Sequence, residues 1–232
     1  MTKYYTTVGI FKLKKSKKEG VNLRYPVVYL GGEERTLDLQ EMLVWTTLNW
    51  RILQYDELRS YYEKSQLESE NTFSRSFDEV MKRLAVRGLI AEGVGSTEEE
   101  ALYNLIFPLT VVPLNDHPAF RLFSVFRLWL VYKVPFYKAK VLFGRDRKTK
   151  EEKKIMRLAF QAALSTAEMV KCIHKNRLYF SDEDDLIGFL YREPEVTSDN
   201  IADSVRGLPQ CRSVMTDIIN LYLRQQILFE RL

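Results

Sequence analysis

Between Ser74 and Ile90 the chain reads Ser-Arg-Ser-Phe-Asp-Glu-Val-Met-Lys-Arg-Leu-Ala-Val-Arg-Gly-Leu-Ile, a helix with both of its ends marked. Ser76 and Glu79 have the spacing of a capping box, in which each side chain satisfies an amide that the first turn leaves unpaired. Asp78 and Glu79 also suit the positive end of the helix dipole. Gly88 can take the left-handed conformation that stops a helix, and Leu89-Ile90 then open a strand. At about 100° per residue, Phe77, Met81 and Leu84 share one face with Val80 beside them. Glu79, Lys82, Arg83 and Val86 share the opposite face. The segment predicts a capped helix, apolar on one side, that feeds directly into a strand.

The residues before it extend the pattern. Leu39 to Trp50 is an apolar-rich helix candidate with Asp38 as its N-cap and Glu41 three residues on. Gln54 to Lys64 is a second, more polar helix that packs through Leu58, Tyr61 and Tyr62, and Ser65 to Phe73 is a polar connection. The order helix, helix, turn, helix, strand over residues 36–95 resembles the winged-helix branch of the helix-turn-helix proteins. That resemblance implies a capped helix presented to the major groove of duplex DNA. Arg75 and Ser76 then stand at its entry, and Lys82 and Arg83 on its solvent side.

Ahead of this unit, Tyr4 to Leu13 predicts a strand, Lys12 to Gly20 a basic loop and Arg24 to Leu30 a second strand ended by Gly31-Gly32. The two strands can form a hairpin packed on the unit. Lys14, Lys15, Lys17 and Lys18 in the loop are candidate phosphate contacts, since lysines bind duplexes by neutralising phosphates. Behind the capped helix, Leu89 to Gly95 reads as a first wing strand. The next segment does not return as a second strand: Ser96-Thr-Glu-Glu-Glu starts another helix through Ala101 to Phe107, and Leu109 to Leu114 is strand-like. An acidic helix in that position repels phosphate, which argues against a wing in the minor groove.

Phe120 to Phe136 is strongly apolar, but Arg121, Arg127 and Lys133 interrupt it, whereas a membrane span needs about 20 apolar residues free of such charges. A buried helix is expected there. The charged stretch Phe143 to Lys154 predicts a linker, and Ile155 to Lys175 one long helix. Asp182 to Tyr191 and Thr197 to Val205 are shorter helix candidates, the second capped by Thr197 or Ser198. Cys211 to Arg224, followed by Ile227-Leu-Phe-Glu, repeats the capped segment without a gap: Arg75-Ser76 meets Arg212-Ser213, Met81 meets Ile218, Leu84 meets Leu221, Arg87 meets Arg224 and Ile90 meets Ile227. Where the first outer face carries Lys82 and Arg83, the second carries Ile219 and Leu223. With Met215 these form a candidate self-association stripe, because exposed apolar stripes mark protein contacts.

The expected class is α+β, mainly helical with small sheets, built as two winged-helix-like units joined by a helical middle region. The expected division is 1–116 for a β-hairpin plus winged helix, 117–150 for an apolar helical connector and charged linker, and 151–232 for a helical domain with the second unit. With 232 residues the chain is long enough for two such cores, and 46% apolar and 28% charged residues describe an ordinary folded protein. The formal charge of +4 permits a nucleic-acid partner without requiring one. Cys172 and Cys211 are too few for a disulfide framework and read as buried thiols of a reducing, cytoplasmic setting. His117 and His174 lack a catalytic or metal-ligand spacing, and phosphate-cradling glycine loops and nucleophile elbows are missing. No cofactor, metal or membrane is expected, and the chain does not read as an enzyme. The sequence predicts a DNA-binding regulator of transcription whose first unit contacts duplex DNA and whose C-terminal half self-associates as a homodimer. The alternative is a protein-interaction scaffold that uses the same modules without DNA.

Overall fold

A computed structural model describes residues 1–18, 21–68, 74–114 and 148–231. The expected apolar helix at 120–136 lies outside the described residues, as do His117 and the start of the expected linker. Three small antiparallel sheets organise the rest. The first has β1 (Thr2–Thr7) at its centre, flanked by β5 (Leu53–Gln54) and β6 (Ile90–Gly95). The second is a meander of β2 (Ile10–Lys18), β3 (Val21–Leu30) and β4 (Glu33–Thr36). The third has β7 (Thr110–Pro113) at its centre, flanked by β8 (Leu164–Ser165) and β9 (Ile227–Glu230). The helices of the first half are α1 (Leu39–Leu48), α2 (Tyr55–Glu68), α3 (Phe77–Val86) and α4 (Glu98–Ile106). Those of the second are α5 (Lys150–Gln161), α6 (Thr166–His174), α7 (Glu183–Leu190), α8 (Ile201–Val205) and α9 (Cys211–Leu223). The α+β class is as expected.

The first and third sheets share one plan. Each takes its central strand first (β1, β7), then an inserted segment, a helix (α1, α5), a two-residue edge strand (β5, β8), a helix (α2, α6), a last helix (α3, α9) and the other edge strand (β6, β9). The second unit adds α7 and α8 before its last helix. The expected first segment, 1–116, therefore ends on a strand whose hydrogen-bonded partners lie in the expected third, 151–232.

Local signals explain most of the elements. Full capping boxes start α1 (Asp38 with Glu41), α3 (Ser76 with Glu79), α5 (Thr149 with Glu152) and α6 (Ser165 with Glu168). At the end of α3, the amide of Leu89 donates to the Leu84 carbonyl at 2.9 Å and that of Gly88 to the Ala85 carbonyl at 2.9 Å. The end of α9 repeats both bonds, Gln226 to Leu221 at 2.9 Å and Gln225 to Tyr222 at 2.8 Å. This is the Schellman arrangement, with Gly88 at φ 69° and Gln225 at φ 59° in the left-handed position. The gapless correspondence read from the sequence thus extends to the backbone bonds.

Several expected boundaries need correction. The strand expected over Tyr4 to Leu13 is two strands, because Gly9 turns the chain at φ 93°. A side chain there would also meet the Tyr29 carbonyl oxygen at 2.5 Å. The expected basic loop is strand: Ile10 to Lys18 pairs residue for residue with β3, from Ile10 opposite Tyr29 to Lys18 opposite Val21. The expected long helix at 155–175 breaks at Ala162, which is extended (φ −152°, ψ 156°), and restarts at the Ser165 cap. Its small residues had disguised two helices separated by an edge strand. Charged residues expected as linker up to Lys154 already belong to α5. Neither Thr197 nor Ser198 caps α8; Asn200 precedes it, without a side-chain bond to the helix.

Two cores result. One lies in the first unit, where Trp45, Leu48, Phe77, Val80 and Leu84 pack under the meander and Phe11 stacks on Trp45 at 5.6 Å. The Trp45 indole donates to the Leu89 carbonyl at 3.0 Å. The other core fills the second unit, takes in α4, and continues to Val8, Leu30 and Ala91 of the first. Helix α4 lies on the first sheet where Gly93 allows close approach; a Cβ there would meet the Ala101 carbonyl oxygen at 2.2 Å. Its other side carries Tyr103 and Phe107 into the second core. Glu99 and Glu100, expected to repel phosphate, pair with Arg212 at 3.4 Å and Arg206 at 3.6 Å. A polar junction completes the joint. The buried Tyr222 hydroxyl lies 2.8 Å from the Thr6 hydroxyl and 3.0 Å from that of Thr7, and accepts from the Trp50 amide at 3.2 Å.

Candidate nucleic-acid interface

The outer side of α3 carries Glu79, Lys82, Arg83 and Val86, all exposed as the helical spacing predicts. Its basic residues differ in what they touch. Arg75, just before the helix, donates to the Asp38 carboxylate at 2.5 Å. Arg83 donates to Glu41 at 3.0 Å and lies 3.9 Å from Asp38. Arg87 donates to Glu41 at 2.7 Å and to the Thr36 carbonyl at 2.5 Å. Three arginines of one segment thus converge on two carboxylates at the start of α1. Lys82 is exposed and has no ion-pair partner among the described residues. Ser76 is occupied as the N-cap, its hydroxyl accepting from the Glu79 amide.

Electrostatics follow from this geometry. Burial alone would raise the Asp38 carboxyl, but the Glu41 amide and the Arg75 guanidinium outweigh it and hold the group below the usual aspartate range. The hydrogen bond to Asp38 in turn raises Arg75. Glu41 is only 1% exposed, so its charge depends on Arg83 and Arg87 for compensation. Two of the expected DNA-contact residues, Arg75 and Arg83, are therefore partly committed within the unit. The sequence reading missed Asp38 and Glu41 as their partners, although both stood at a recognised helix start.

The lysines of the N-terminal segment lie on strand β2 rather than in a loop. Lys14 pairs with Glu34 of β4 at 2.6 Å, which raises the lysine and lowers the glutamate from their ordinary values. Lys12 lies 4.9 Å over the Tyr29 ring. Lys15, Lys17 and Lys18 occupy ladder positions opposite Arg24, Asn22 and Val21. Beyond the reach of β4, which stops at Val27, the segments Leu13–Lys18 and Val21–Pro26 form a two-stranded ribbon.

The expected self-association stripe on α9 disperses. Met215 is a buried core residue, and Ile219 is partly buried against the same core. Leu223 alone remains open, 48% exposed. Helical spacing could not tell the third position of a buried face from the first of an outer one.

Cys172 and Cys211 are both buried thiols, with burial pushing Cys172 up to about 12. His174 bonds through Nδ1 to Gln210 at 2.7 Å. Among the described residues no group of three His, Cys, Asp or Glu side chains could hold a metal ion. Nor is any described helix long and apolar enough to cross a membrane.

Comparison with family models, curated proteins and solved structures finds no match for this chain.

Proposed function

We propose that the chain is a duplex-DNA-binding protein of the regulator type, built from two winged-helix-like units, with the β2–β3 ribbon as its principal contact. The observation that carries this reading is the composition of the ribbon. Strands β2 and β3 hold Lys12, Lys14, Lys15, Lys17, Lys18 and Arg24 and not one Asp or Glu. A two-stranded ribbon fits the major groove, and the six ladder pairs beyond β4 extend roughly 20 Å. Lys82 on α3 supplies a further cation. The winged-helix reading is supported by the helix order and by β1, which pairs along its length with β6 where a returning wing strand would lie.

A second reading has its own support. Arg75 and Arg83 are tied to acids, while Val86 stands 80% exposed on the same face of α3. That combination suits a protein contact better than a phosphate. Self-association through α9 now rests on Leu223.

Fluorescence anisotropy with random and defined duplexes at two salt concentrations separates the readings. DNA binding predicts association that weakens with salt and falls when Lys14, Lys15, Lys17 and Lys18 are changed to Gln. Wild-type binding no tighter than ~100 µM at low salt, below ordinary non-specific association, overturns it in favour of the protein-interaction reading.

A further inference from the structure

The strongest unexplained surface lies in the second unit, away from the ribbon. A cleft of about 600 Å³ opens between the α5–β8 turn and the start of α7. Buried Leu164, Leu186 and Leu190 form its apolar lining, and Tyr179 and Ile187 stand at it 75% and 47% exposed. Its volume is that of a binding pocket, and its wall combines apolar side chains with a few polar ones, as such pockets do. None of the described residues lining it is Lys, Arg or His, whereas Glu168, Asp182 and Glu183 line it.

The surrounding surface is predominantly acidic. From Asp182 to Asn200 the chain carries seven Asp or Glu against a single Arg. Six of these carboxylates, on Asp182, Glu183, Asp184, Glu193, Glu195 and Asp199, are exposed. Asp185 is drawn in, paired with Arg177 at 2.5 Å, and exposed Glu193 lies 3.9 Å from Lys171. In a chain of net charge +4 this local excess of carboxylates favours cationic partners.

We propose that this cleft docks a basic segment of another protein, an aliphatic side chain entering between Tyr179 and Ile187 with lysines or arginines on either side. Two features select that occupant. The apolar lining rewards an aliphatic anchor about the size of leucine. The carboxylates run past Tyr191 through Glu193 and Glu195, which suits an extended chain better than a compact small molecule. The proposal does not depend on DNA binding by the first unit.

The test uses the full chain and two short fluorescein-labelled peptides, one alternating lysine with leucine and one alternating lysine with serine. Wild type should prefer the leucine peptide by about tenfold, the ratio expected from one buried anchor. Tyr179→Ser with Ile187→Ser should abolish that preference while leaving the melting temperature unchanged, both residues being exposed. Asp182→Asn, Glu183→Gln and Asp184→Asn together should weaken both peptides and flatten their salt dependence, with the cap oxygen of α7 retained by asparagine. Equal affinity for the two peptides, or a preference that survives in the Tyr179 and Ile187 variant, overturns the proposal. So does a wild-type dimer in sedimentation that the same variant converts to monomer, since the occupant is then a second copy.

Discussion

The carboxylate of Glu41, at the start of α1, accepts from the guanidinium of Arg87, at the end of α3, across 2.7 Å in a site that leaves the acid 1% exposed. The second unit holds the same device: Glu152 at the start of α5 pairs with Arg224 at the end of α9, and Glu152 is 2% exposed. In each case the acid is the third residue of a capped helix and the arginine is the C-cap of the unit's last helix. The pair therefore fixes the first helix of a unit against its last.

The two devices differ in redundancy, and stability should show it. Glu41 keeps Arg83 if Arg87 is replaced, whereas Arg224 is the ion partner seen for Glu152. Removing one partner of a buried pair costs about 3–5 kcal/mol because the other charge is left uncompensated. Arg224→Ala should lose about that much in urea denaturation, and Arg87→Ala distinctly less. Equal losses would mean that Arg83 does not compensate Glu41.

Acid should expose the role of Asp38. Its carboxyl lies below the ordinary aspartate range in the folded chain, so its contribution is present above the unfolded value and disappears as pH falls through the folded one. Asp38→Asn keeps a cap oxygen but loses the charge facing Arg75. The variant should melt below wild type at neutral pH and together with it in acid, beneath the usual aspartate value of about 3.9. A gap that persists unchanged into acid would assign the effect to capping.

Tyr222→Phe should loosen the junction between the units. The change strips the buried Thr6 and Thr7 hydroxyls and the Trp50 amide of a shared partner, at a cost of about 1–3 kcal/mol. Hydrogen exchange at the Trp50 amide should accelerate with it. Unchanged exchange would place the strength of the joint in the apolar packing alone.

DNA binding by the ribbon should be read from its salt dependence. Removing one phosphate-binding cation lowers the slope of log affinity against log salt by about one unit. The Lys14, Lys15, Lys17 and Lys18 variant should lose several units, and Lys82→Ala no more than one. The opposite ranking would return the main contact to α3.

What the sequence made legible was local. The capping boxes at Ser76 and Asp38, the stop at Gly88 and the gapless match of α3 with α9 all rest on interactions within a few residues of each other. The match even anticipated Arg87 with Arg224, although not the acids they meet, which lie 46 and 72 residues away. The ribbon was misjudged because five lysines in nine residues imitate a solvated loop, and strand formation there depends on pairing with β3. The break at Ala162 was hidden because alanine favours the helix on both sides; the cap at Ser165 was its only local mark. The candidate site was legible as a set of basic residues, but which of them were already paired was a matter of tertiary structure.

The central strands carry a consequence for synthesis of the chain. Strand β7 leaves the ribosome well before β9, yet β9 supplies the longer of its two ladders, with four residue pairs against two for β8. During translation the first unit can close on β6 while β7 waits, one edge unpaired, for β9 to arrive. A chain stopped before Ile227 would keep every helix of the second unit and still lack the strand that seals it, leaving Val111 and its neighbours open to pairing with another molecule.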